Sequence, residues 1–311
     1  MIELVFGYPP PLFRLLGHPV VWIGGLIDRL DRALNGATLP QRRLRLNGVL
    51  ALLLIVGLPA GLALSAQLLL SRLLPRPAAL LLLAAAASTL LASRSLHAHV
   101  RAVADGLRDG GLTGGREAVS HIVGRDPASL DQPAIVRAAI ESLAENFSDG
   151  VVAPLFWCAL LGLPGIVAYK AINTADSMIG HLTPRHRWFG WASARLDDLV
   201  NLPASRLASL WIVLAAGSTR PTAAARAWRI VRRDARRHRS PNAGWPEAAM
   251  AGALGIRLAG PRIYAGLSVE DGWIGDGDRP ATPDDLRAAL AIYRRACAIQ
   301  LAVVVTVAAL A

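Results

Sequence analysis

The chain has one lysine, Lys170, and two cysteines, Cys158 and Cys297, among 311 residues. Both cysteines fall inside apolar runs, so the sequence offers neither a disulfide framework nor zinc-ligand spacing. Aromatic residues make up 5% and form no stacking motif among the arginines, which argues against a nucleic-acid partner. The scarcity of lysine excludes a G-x-x-x-x-G-K-[ST] phosphate loop, because Lys170 lacks the preceding glycines. G-x-G-x-x-G after a strand and G-x-S-x-G are absent as well, so any nucleotide site must be of another kind. Residues 1–27 contain Pro9-Pro10-Pro11, Arg14 and His18, which breaks the pattern of a secretory leader.

What the chain does have is apolar mass. Hydrophobic residues reach 53%, and the mean hydropathy is +0.40. That composition belongs to an integral membrane protein. The net charge of +11 is almost all arginine. Beside so much apolar sequence it points to anionic lipid or anionic substrates.

Segments 48–70 and 78–93 read as a transmembrane hairpin turned at 71–77, and 296–311 as a C-terminal transmembrane helix. The last helix should begin after Thr282-Pro283, where Asp284 and Asp285 suit an N-terminus. Two further apolar runs are irregular. Residues 151–169 carry Pro154, Gly162, Pro164 and Gly165; near 199–217, Asn201, Pro203 and Arg206 precede a short run. Arginines in 29–45 set residues 1–47 on the cytoplasmic side, and 94–150 returns there. Segment 220–239 holds eight arginines, with Trp228, Val231 and Ala235 on one helical face, and could lie on an anionic leaflet. Gly106–Gly115 reads as a flexible loop. The fold class expected is mainly α: a polytopic membrane protein with broken or re-entrant helices and a sizeable cytoplasmic helical portion within 94–295.

Three polar clusters stand against these runs, at 141–150, 169–181 and 194–201. Carboxylates beside a bilayer are costly unless paired, solvated or metal-bound. Glu141, Glu145 and Asp149 recur every four residues and share a helical face, flanked by Ser142 and Asn146. Their repulsion suits a magnesium ion, which takes one or two carboxylates plus phosphates and water; a solvated acidic face ending at Asp149-Gly150 is the plain alternative. Asn173, Asp176 and Ser177 align with Lys170, a point charge for phosphate. In the third cluster Arg195 pairs by spacing with Asp198, and Asp197 with Asn201. His181 and His186 read as structural. Residues 240–255 form a turn opening a helix, with Asn242 before it and Glu247 in its first turn. If 151–169 and 199–217 both spanned fully, the first two clusters would face opposite sides of the bilayer, too far apart for one reaction. Broken or re-entrant segments are therefore expected at both places.

At these clusters the chain resembles the adenosylcobinamide-phosphate synthase family of cobalamin biosynthesis, CobD/CbiB. The matching stretches are HPVVWIGGLID from His18, VGRDPASL at 123–130, ESLAENFSDGVVAPLFW at 141–157, YKAINTADSMIGH at 169–181, ARLDDLVNLPASRL at 194–207 and SPNAGWPEAAMAGALG at 240–255. They follow the family's order and span nearly the whole chain. Ser205 departs from an expected alanine.

The resemblance implies one membrane-embedded synthase domain over 1–311, in a bacterial inner membrane with its active site facing the cytoplasm. It implies ATP and magnesium, a corrinoid substrate (adenosylcobyric acid) and aminopropanol phosphate or aminopropanol, joined through an amide. Other membrane enzymes of the pathway are expected neighbours. On that reading Glu141, Glu145, Asp149 and Asp176 hold magnesium. Lys170 and Arg195 neutralise phosphate, and Asp197 or Asp198 takes the proton of the incoming ammonium. Glu145, Lys170, Asp197 and Asp198 are the expected catalytic set. His18, Arg125, Asn146, Asn173, Ser177, Asn242 and Glu247 are the expected substrate contacts. The competing classes are a magnesium-dependent prenyltransferase, suggested by Asn173-x-x-Asp176 and Asp197-Asp198, and a membrane transporter or sensor.

Overall fold

A computed structural model describes residues 17–123, 127–264, 267–269 and 272–310. Arg125 lies outside them. The protein is a mainly α polytopic membrane protein. Among the described residues five helical stretches are long and apolar enough to cross a bilayer: Gln41–Leu73, Arg76–Ser120, Gln132–Ile179, Trp191–Gly217 and Pro283–Leu310. Large aliphatic side chains such as Leu53, Leu62, Leu81 and Val307 stand exposed along them, as lipid-facing residues do.

The chain divides into two compact units. The first comprises residues 1–92 and 153–201, the second 93–152 and 202–311. In the first unit, α1 (Pro19–Leu34) packs on α2 (Gln41–Leu73) and on α6 (Ala153–Ile179). Its core is Ile23, Ile27, Ala51, Ile55, Ala171, Ala175, Ile179 and Phe189. Gly48 lets the Phe189 carbonyl press where a Cβ would sit. Helix α3 (Arg76–Ser88) follows α2 after Leu74-Pro75, so the predicted hairpin turn is present.

Helix α6 is broken, as its glycines and prolines predict. Gly162 has φ 69 and ψ −152, a conformation closed to other residues at low cost. The freed Leu163 N–H donates to Gln67 Oε1 of α2 at 2.8 Å. An amide side chain thus satisfies backbone that lipid could not. Helix α7 (Trp191–Gly217) differs from expectation: it carries Pro203 but no non-helical residue. Ala204, Ala208, Ile212 and Ala215 are wholly buried along it, and that packing offsets the proline's cost of about 3 kcal/mol.

In the second unit, α4 (Ser93–Ser120) packs on α5 (Gln132–Phe147), and α10 (Pro283–Leu310) on both. Gly106–Gly115 is not a loop but part of α4, bent at Gly111 with φ 58. A Cβ at Gly106 would strike the Gly114 carbonyl and one at Gly114 the Gly106 carbonyl, so these glycines serve close packing across the bend. Nor does a helix end at Asp149-Gly150. A π turn at Ser148–Val152 follows α5, and α6 begins at the next residue.

Helix α8 (Pro221–Asp234) and the following 3₁₀ turn Ala235–Arg237 pack on α9 (Gly244–Leu254). Val231 and Ala235 are buried there, while Trp228 stays 48% exposed. The shared apolar face expected to meet lipid is therefore mostly spent inside the protein. Two short antiparallel pairs complete the unit, β1 (Leu258–Ala259) with β4 (Trp273–Ile274), and β2 (Arg262–Tyr264) with β3 (Leu267–Val269). The C-terminal helix starts at Pro283, as predicted, with Asp285 accepting from the Thr282 backbone N–H and from Arg279.

Candidate functional site

The polar residues of the first unit form one connected chain of hydrogen bonds. Lys170 Nζ donates to Asn173 Oδ1 at 3.2 Å, and Asn173 Nδ2 reaches Asp197 Oδ1 at 3.4 Å. Asn201 Nδ2 donates to Asp197 Oδ2 at 3.0 Å, and Tyr169 O–H donates to Asn201 Oδ1 at 2.9 Å. The cause is local. Lys170 and Asn173 are one turn apart on α6, Asp197 and Asn201 one turn apart on α7, and each pair points at the other. Trp157 Nε1 donates to the Val200 carbonyl at 3.2 Å and ties the same two helices. Asp197 is thereby buried with both carboxylate oxygens accepting from amides.

Asp176 and Asp198 are close enough for their charges to act on one another, and Asp176 acts likewise on Asp197. Gly180 permits this packing, since a Cβ there would collide with Asp176. Arg195 reaches Asp198 at 3.5 Å from an exposed position. The hydroxyl of Ser177 is spent on the Asn173 carbonyl. His18 stands at the entrance of α1, its Nδ1 accepting from the Val20 N–H at 3.2 Å. Burial lowers its pKa, a backbone hydrogen bond to Thr89 partly opposes this, and the charge of Lys170 lowers it again. The ring thus lies within the field of the lysine. Beside it opens an apolar cavity of about 420 Å³, walled by Pro19, Trp22, Leu58, Leu62 and Val167.

The expected ligand set of Glu141, Glu145 and Asp149 is not gathered. Among the described residues no three His, Cys, Asp or Glu side chains stand together as a metal site. Glu141 is buried, and its Oε1 accepts the Ala259 N–H at 2.8 Å. It holds β1 at a residue whose φ is 59. Glu145 and Asn146 are exposed, with Asn146 Nδ2 donating to the Ser142 carbonyl. Asp149 lies in the π turn, where the four-residue repeat that would align it with Glu141 and Glu145 is lost.

The 240–247 turn is tightly tied. Ser240 Oγ accepts from the Asn242 and Ala243 N–H groups. Asn242 Oδ1 accepts from Ser205 Oγ at 3.1 Å and Arg206 Nη1 at 3.0 Å. Ser205, the departure from alanine, is thus used. Glu247 is buried, with Oε1 3.9 Å from His238 Nε2. Tyr169 and Arg206 were not among the expected site residues. The signal for Arg206 was a charge at the edge of the short apolar run of α7; that for Tyr169 was a hydroxyl next to the only lysine.

A sequence profile of the CobD/Cbib protein family matches residues 1–293. The chain belongs to the CobD/Cbib family. It is 53% identical to the cobalamin biosynthesis protein CobD of Rhodobacter capsulatus over 96% of this chain and 91% of that protein. The protein of the same name from a Sinorhizobium species is 52% identical over 99% and 95%. That of Brucella suis is 48% identical over 94% and 90%. No solved structure matches.

Proposed function

We propose that this chain is the synthase of cobalamin biosynthesis that joins adenosylcobyric acid to (R)-1-amino-2-propanol O-2-phosphate, or to aminopropanol, at the expense of ATP. The observation that carries the reading is the Lys170–Asn173–Asp197–Asn201–Tyr169 network, in a chain about half identical to proteins named CobD.

The chemistry requires an activated carboxylate. The propionate oxygen of the corrinoid attacks the γ-phosphorus of ATP, ADP leaves, and an acyl phosphate forms. The amine nitrogen then attacks the carbonyl carbon, and phosphate departs as the amide forms. Lys170 would neutralise phosphate charge, a task that needs position more than covalent help. Arg195 would add a second charge from its exposed place near Asp198. The ammonium must lose a proton before it attacks, and Asp197 or Asp198 would accept it. Asp176 and Asp197 are also the carboxylates suited to magnesium, which needs only one or two beside substrate phosphates and would supply charge neutralisation. His18, within the field of Lys170, would contact substrate where the apolar cavity gives a wall to the macrocycle. Use of ATP would put the active site on the cytoplasmic face of the inner membrane.

The test is rescue of a strain lacking this synthase. Expression of the chain should restore growth on cobyric acid, and Lys170→Ala should not, although the variant reaches the membrane. Growth only on cobinamide in both cases would overturn the proposal.

A further inference from the structure

Arg206 sits within the apolar stretch of α7, where an ionisable side chain carries a large desolvation cost. Its geometry is fixed. Nη1 donates to the Leu202 carbonyl at 3.2 Å, to Ser205 Oγ at 2.9 Å and to Asn242 Oδ1 at 3.0 Å. The guanidinium carbon lies 4.4 Å from the centre of the Trp245 ring, which holds the plane of the fork. Among the described residues, Nε and Nη2 make no hydrogen bond and no carboxylate pairs with this arginine. The charge of a second cation, Arg236, reaches it.

Arg236 is brought there by packing. The 3₁₀ turn Ala235–Arg237 is pressed onto the start of α9, since Gly244 leaves room for the Ala235 carbonyl and the His238 Cβ. Arg229 and Arg233 pair with Asp276, Arg233 and Arg237 pair with Asp234, and Arg226 caps the carbonyls of Gly252 and Ala253. Arg236 has no such partner among the described residues. The carboxylate of Glu247 on the same helix as Trp245 faces His238 instead.

Two like charges with free donors, beside an aromatic wall and a buried asparagine, have no counter-ion among the described residues. We propose that Arg206 and Arg236, with Asn242 and Trp245 as their frame, bind a phosphate group. A phosphate dianion answers both charges and takes the forked N–H donors of a guanidinium. The group can come from a soluble phosphate or from an anionic lipid headgroup, because Arg206 belongs to a membrane-crossing stretch.

The full chain would be purified in a neutral detergent and titrated with inorganic phosphate by calorimetry. It would also be reconstituted in nanodiscs of phosphatidylcholine with and without phosphatidylglycerol, and its melting followed. Arg236→Gln is the main variant, because Arg236 is exposed and its substitution should leave the fold intact. Arg206→Lys, which keeps charge and removes the fork, is the second. Phosphate binding in detergent that weakens at least tenfold in both variants identifies a soluble-phosphate site. Stabilisation by phosphatidylglycerol alone, lost in Arg236→Gln, identifies a headgroup site. No binding in either arm, or equal binding by wild type and Arg236→Gln, overturns the proposal.

Discussion

Lys170 and His18 act on each other across the first unit, and each reports on the other. Burial and the lysine's charge both lower the histidine's pKa. In Lys170→Ala one of these causes is gone, so the His18 titration midpoint should rise toward the ordinary value near 6.5. Histidine NMR in detergent, assigned by a His18→Gln difference, reads this directly; an unmoved midpoint would remove His18 from the lysine's field. The two glutamates of α5 make the opposite contrast. Glu141 is buried and accepts the Ala259 N–H, so Glu141→Leu should lower thermal stability by about 1–3 kcal/mol, as leaving a buried donor without its acceptor does. Glu145 is exposed, so Glu145→Gln should leave melting unchanged. Sequence spacing put both on one face but could not tell them apart. What separates them is a tertiary partner 118 residues away, and local pattern carries no trace of it.

Elements were legible where the backbone chemistry was strong. Pro and Gly in 151–169 announced the break of α6, and Thr282-Pro283 announced the start of α10. They misled where packing overrode them, as with the unbroken α7 and the glycines of α4. The Gln67 clasp on Leu163 was invisible, because it joins residues 96 apart. Gln67→Leu should expose that N–H to an apolar surrounding and cost roughly 1–3 kcal/mol, seen as a lower melting temperature in detergent. The clasp between α8 and β4 has a pH signature. Burial alone would raise the pKa of Asp234, but hydrogen bonds from Arg233 and the Gly275 N–H, with the charge of Arg237, hold it below the usual value. A depressed carboxylate contributes stability that is complete above its unfolded pKa, about 3.9, and is lost as pH falls through the folded value. Melting of the wild type should thus be insensitive to this group from pH 7 to about 5 and fall in stronger acid. Asp234→Asn should start lower and show a smaller decline there.

At the scale of the whole molecule, apolar mass and arginine together decide how the chain sits in a bilayer. Hydropathy located the same five stretches that the structure shows as helices, though it could not say which are interrupted. Short loops rich in arginine favour the cytoplasmic side. The residues between α6 and α7 carry Arg185 and Arg187, and the Lys170 network lies on the helices that flank them. The ATP reaction proposed for that network requires access from the cytoplasm. Simple full crossings by every stretch would put residues 180–190 on the far side, whereas the break at Gly162 gives α6 a place to turn back. Leu182 is 91% exposed and suits a reporter. With Cys158 and Cys297 replaced by alanine, Leu182→Cys should react with a membrane-impermeant maleimide in inside-out vesicles and not in intact spheroplasts. The reverse labelling would mean that α6 crosses completely despite its break, and that the lysine network opens away from ATP.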